Sequence, residues 1–128
     1  MEYIYRTEIT EIGPDVEEFL DGAGLMITFE DGAPPELAEI SVMHKHTEQR
    51  EEPPVVGDIL AIGALEFEIT AVGGTAWKNM LDLGHAAFKF NGAKEAGLPG
   101  EICLKEQGLE GVKEAIGPGV SLEIRTTN

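Results

Sequence analysis

IYRTEITEI, residues 4–12, places an apolar side chain at nearly every second position. Only an extended strand turns alternate residues to one face, so this rhythm predicts β-structure. It returns in LMITFE (25–30), AEISVMHKH (38–46), HAAFKF (85–90), GEICLKE (100–106) and VSLEIRT (120–126). GDILAIGALEFEITAVGG (57–74) reads as a hairpin, with Gly63-Ala64 at the turn and Leu65, Phe67 and Ile69 on one face. Asp31-Gly32, Asn91-Gly92, Pro99-Gly100 and Gly117-Pro118-Gly119 punctuate the strands, and sixteen glycines and seven prolines suit so many tight turns. Helical signals are few. Pro14 to Leu20 suits one or two turns, and Pro34-Pro35-Glu36-Leu37 starts at most a single one. TAWKNMLDLG (75–84) is the best, with Thr75 as N-cap, an apolar face of Trp77, Met80 and Leu81, and Gly84 as C-cap. The expectation is an all-β (mainly β) fold. It is a small closed or nearly closed barrel of about seven or eight strands with one or two short helices, in a single domain spanning 1–128.

The charge narrows the function. Nine basic residues stand against twenty-four acidic ones, for a net charge of −15, and the first forty residues hold only Arg6 against eleven acids. Phosphate backbones and anionic lipid surfaces are gripped by Lys/Arg clusters, and this chain has none. A basic protein partner fits better. The single cysteine, Cys103, allows no internal disulfide and reads as a small buried strand residue, consistent with a reducing compartment. MEYIYRTE lacks the basic start and apolar run of a signal peptide, and no stretch is apolar enough to cross a membrane as a helix, so a cytosolic protein is expected. EQREEPP (48–54) reads as a solvated loop.

SVMHKHTE (41–48) carries two of the three histidines. Residues i and i+2 of a strand share a face, roughly 6.5–7 Å apart. His44 and His46 therefore face one way, after Ile40 and Val42, with Lys45 opposite, at a strand end that suits the rim of a barrel. Three readings follow. Both rings are ordinary polar residues at a strand end. Or His44, His46 and Glu51 form H-x-H-x₄-E, an echo of the first metal motif of cupin barrels, which suits Zn, Fe or Mn. That motif opens on Ala38 where glycine is expected, and it lacks a late histidine, the last being His85. Or one neutral imidazole takes a phosphoryl group from another protein. This last reading needs neither metal nor nucleotide loop, and the chain has no G-x-x-x-x-G-K-[ST].

Longer stretches carry a resemblance. IYRTEITEIG, LMITFEDGAPPELAEIS, MHKH, GDILAIGALEFEITAVGGTAWKNMLDLGHAAFKFNG, LPGEICL and GPGVSLEI occur in an order that resembles the glucitol/sorbitol-specific IIA component of the bacterial phosphoenolpyruvate-dependent sugar phosphotransferase system. The resemblance runs nearly end to end. It implies a cytoplasmic, barrel-like phosphocarrier that needs no cofactor or metal. Such a carrier accepts a phosphoryl group on histidine from the phosphocarrier protein HPr. It passes the group to the IIB domain of the sorbitol permease, and touches no sugar itself. A homodimer is compatible with this. The first histidine of the H-x-H pair, here His44, is the implied phosphoryl acceptor; Lys45 stands where relatives can carry a small residue. His46, its same-face neighbour, is a candidate to donate to the phosphoryl oxygens or to orient His44. His85 is a further candidate, if the LGH turn brings it to the same rim; its place after Gly84 also has a structural reason, since a helix C-terminus favours a cation.

Overall fold

The computed structural model describes residues 2–127. Among them lie eight strands: β1 (Tyr3–Ile12), β2 (Leu25–Glu30), β3 (Ser41–Gln49), β4 (Ile59–Ile62), β5 (Leu65–Val72), β6 (Ala86–Lys89), β7 (Glu101–Leu104) and β8 (Ser121–Arg125). Four short helices join them: α1 (Val16–Ala23), α2 (Pro35–Ala38), α3 (Ala76–Leu83) and α4 (Glu110–Ala115). The strands close into a barrel in the order β1-β3-β2-β6-β7-β5-β4-β8, with β8 returning to β1. Pairing is antiparallel except at β2–β3 and β6–β7, which run parallel. A parallel pair cannot be joined by a tight hairpin, so the chain must cross over. Between β2 and β3 the crossover carries α2.

The alternation in the sequence becomes the wall of the barrel. On β5, Phe67, Ile69 and Ala71 are buried while Glu66 and Glu68 are exposed. Phe67 meets Phe90 edge to face, with ring centroids 5.1 Å apart, within a core that also takes Ile4, Leu60, Phe88 and Ile102. The β4–β5 hairpin turns where expected, at Gly63, whose φ of +57° suits a residue without a Cβ.

The expected barrel is present; the expected helix content of one or two is corrected to four. α1 was legible in part, since Val16 and Leu20 supply its buried face and Gly24 ends it in the left-handed conformation. α4 carried no legible signal: it has six residues and buries only Val112. β3 starts at Ser41 and not at Ala38, because Pro35 opens a helical turn that uses Ala38. Thr75 sits before α3 but makes no side-chain capping bond, whereas Gly84 does close that helix, with φ +63°. No helix among the described residues is long and apolar enough to cross a membrane.

Candidate functional site

β3 runs out of the core as it proceeds. Ser41 to His44 are buried, and Lys45 to Gln49 are exposed. Its neighbours bring particular residues alongside. On β1, Ile9 pairs with His44 and Thr7 with His46; on β2, Glu30 pairs in parallel with His44. The α3–β6 junction adds the carbonyl of Gly84.

His44 is wholly buried. Its Nε2 lies 2.8 Å from the Gly84 carbonyl, which can only accept, so Nε2 carries the proton and donates. Nδ1 is then the lone-pair nitrogen, and it accepts the Thr7 hydroxyl at 2.6 Å. Burial pushes the imidazole below its ordinary pKa, against the opposing pull of the Gly84 carbonyl and the nearby Glu30 carboxylate. The ring is therefore neutral at neutral pH, the form that carries a nucleophilic lone pair.

His46 is 38% exposed. Its Nδ1–H donates to Glu30 Oε1 at 2.9 Å, which leaves Nε2 as the free nitrogen. Glu30 thus spans the pair: Oε2, its second oxygen, is 3.6 Å from His44 Nδ1. That oxygen is buried without a hydrogen-bond partner among the described residues, as is the Tyr5 hydroxyl. The Tyr5 ring lies 6.1 Å from His44 and 6.0 Å from His46, and 5.8 Å from Trp77 behind it. Burial, and then the charge of Glu30, raise the Tyr5 pKa, so the phenol stays protonated.

The two strand histidines do share a neighbourhood, at different depths. His85 is placed differently from the expectation that it would join them. Its Nδ1–H donates to the Thr28 carbonyl at 3.1 Å and its ring lies 5.3 Å from that of Phe29. The part of the LGH turn that touches His44 is the Gly84 carbonyl, which also accepts the Thr28 hydroxyl at 3.0 Å. The hydrogen bond of the His85 ring goes to the Thr28 carbonyl, whose residue also donates its hydroxyl to Gly84.

Glu51, the carboxylate of the cupin-like spacing, is exposed beyond β3, and its backbone carbonyl accepts from Trp77 Nε1 at 3.1 Å. Among the described residues no three or more His, Cys, Asp or Glu side chains are grouped to hold a metal. The carboxylate that does meet the histidines is Glu30. Sequence reasoning missed it, along with Thr7 and Tyr5, because the β2–β3 and β1–β3 pairings that deliver them link distant segments. Lys45 is exposed and shares a shallow cavity of about 170 Å³ with Glu8, Thr10, His46 and Thr47. Cys103 is wholly buried and its thiol pKa is raised by that burial, which makes it a poor nucleophile.

A pH effect follows from His44. Its folded-state pKa lies below the unfolded value of about 6.5, so the unfolded chain binds the proton more readily. The stability it contributes is present above that value and is lost as pH falls below it. In urea unfolding compared at about pH 8 and about pH 5.5, wild type should lose more of its midpoint than His44→Gln. Equal losses would show that the ring is not held neutral.

Compared with known proteins, the barrel matches the solved "PTS System IIA Component from Enterococcus faecalis V583", with a TM-score of 0.76 at 21% identity, over 94% of this chain and 99% of that one. Fold and neighbour together define the class: a β-barrel of the kind adopted by that IIA component. The particular family follows from sequence. The family model for the PTS system glucitol/sorbitol-specific IIA component matches residues 4–119. The glucitol/sorbitol-specific EIIA components of Shigella flexneri and Escherichia coli (strain K12) are each 33% identical over 126 residues, covering 98% of both chains. The chain belongs to the glucitol/sorbitol-specific IIA component family of the PTS.

Proposed function

We propose that this protein is a phosphocarrier of the glucitol/sorbitol phosphotransferase system. It takes a phosphoryl group from phospho-HPr onto His44 and passes it to the IIB domain of the permease, which couples uptake of the sugar to its phosphorylation. The observation that carries this is the neutral imidazole of His44, with its proton committed to the Gly84 carbonyl and its lone pair beside a hydroxyl donor. Transfer is balanced without an added base. The N–P bond of the donor breaks as the new N–P bond forms, and each ring keeps the proton on its other nitrogen. The positive charge that develops on the His44 ring is met by the Gly84 carbonyl, at the C-terminal end of α3, where the helix dipole favours a cation. Thr7 offers a hydroxyl to the phosphoryl oxygens.

One observation favours a second reading. His46 is the exposed ring, and a carboxylate holds its Nδ1–H while Nε2 stays free, an arrangement that also suits an acceptor. In both readings the group travels on the β3 pair, and the net charge of −15 raises the free energy of the phosphorylated form and favours onward transfer.

The test is the intact mass of the protein after incubation with phosphoenolpyruvate, enzyme I and HPr. One added, acid-labile phosphoryl group is expected, and it should leave on addition of the IIB domain. No mass gain, with HPr shown to be active on another IIA protein, overturns the carrier reading.

A further inference from the structure

We propose that Glu30 is the positioning residue of the histidine pair, holding the His46 ring in one tautomer and one orientation for phosphoryl transfer. The proposal rests on the carrier reading, but not on which ring is the acceptor. Oε1 takes the His46 Nδ1–H at 2.9 Å and also faces the His46 backbone N–H at 3.4 Å, so ring and strand are gripped together. A carboxylate only accepts, which fixes a proton on Nδ1 and so, in the neutral ring, the lone pair on Nε2. His44 is fixed the opposite way, with its proton on Nε2. The pair therefore presents two different nitrogens, and Glu30 sets one of them.

The bonds of Oε1 stabilise the fold, but the position of the other oxygen is not explained by stability. Oε2 is buried without a partner among the described residues, and it faces a lone-pair nitrogen at 3.6 Å. An unpartnered buried carboxylate oxygen costs free energy. The fold nevertheless makes room for it: a Cβ on residue 84 would lie 2.9 Å from Oε2 and 3.0 Å from the Glu30 Cβ, so glycine there leaves the carboxylate its place. A carboxylate that leaves one oxygen buried and unpartnered while bonding a candidate reacting group with the other is expected to act on that group.

Glu30→Ala, Glu30→Gln and, as a control for local charge, Glu8→Gln would be compared with wild type in three ways. Nitrogen–proton correlation spectra of the neutral imidazoles read the His46 tautomer. Initial rates against phospho-HPr concentration separate kcat from KM. Thermal melts read stability. In wild type His46 should be protonated on Nδ1; Glu30→Ala should give a mixture. Its kcat should fall about tenfold or more with KM nearly unchanged, as misplacement of a group in the transferring site predicts. Glu30→Gln, which keeps an acceptor oxygen, should recover part of that loss. Neither variant should be less stable than wild type, and Glu8→Gln should transfer normally. Wild-type tautomer and wild-type kcat in Glu30→Ala overturn the proposal alone, as does an equal loss of rate in Glu8→Gln. A wild type that accepts no phosphoryl group overturns the carrier reading and this proposal together.

Discussion

His44→Ala protein, incubated with phosphoenolpyruvate, enzyme I and HPr, should gain no phosphoryl group at all, while His46→Ala should gain one more slowly than wild type. The complete loss is expected because a nucleophile cannot be replaced by its surroundings; on the reading that His44 is the acceptor, neither hydroxyl beside it can take its place. The Thr7 hydroxyl has no base beside it once His44 is removed and is a weak nucleophile, and the Tyr5 phenol is buried and protonated. Burial of the His44 ring has two sides. It keeps the imidazole neutral and its Nε2–H committed to Gly84, and it also means that, if His44 is the acceptor as proposed, the ring must become accessible before a donor can reach it. His46, two residues further along β3, is exposed. If the label survives in His44→Ala and disappears in His46→Ala, the exposed ring is the acceptor, and His44 becomes the buried polar anchor that fixes β3 against the α3–β6 junction.

Gly84→Ala should be the most damaging small substitution near the site. The residue has φ +63°, where a Cβ costs about 1–2 kcal/mol. The new methyl would also lie 2.9 Å from the backbone nitrogen of Glu30, which cannot swing aside as a side-chain tip can. Forcing atoms into a packed place adds about 1–3 kcal/mol. The sum, about 2–5 kcal/mol, corresponds to a fall in Tm of roughly 6–20 °C for a chain of this size. The same shift would move the carbonyl that accepts from both His44 and Thr28, so phosphoryl acceptance should fall alongside stability. Thermal melts and intact mass check both. A loss below about 1 kcal/mol would show that β2 yields to the added methyl and that the junction is softer than its contacts indicate.

The barrel wall was legible because alternation is a local property. Each of the eight strands falls in or close to a segment whose period-two pattern is plain, and Gly63 and Gly84 mark their turns as glycines needing positive φ. The short helices were less legible. α4 buries one residue and has Leu109 where a capping side chain would announce it, so neither period nor cap stands out. The histidine pair was visible as a spacing. Its partners were not, since Thr7, Glu30 and Gly84 come from three other places in the chain and reach His44 through strand pairings and a helix–strand junction that no local pattern specifies. Depth was hidden for the same reason: on one face of one strand, His44 is buried and His46 is not, because β3 leaves the barrel interior between them.

The pairing of β1 with β8 sets Tyr3 beside Arg125 and Thr7 beside Leu122. A ladder between segments this distant in sequence forms late and slowly, since the entropy of closing so large a loop is lost before the contacts are gained. During synthesis β1 emerges long before β8 exists, so one flank of β1 stays open until β8 has been made. Thr7 is on that strand. Assembly of the histidine pocket is thereby tied to the β1–β8 closure, and refolding kinetics followed at Trp77, which packs against Tyr5 of the same strand, should report that step as a slow one.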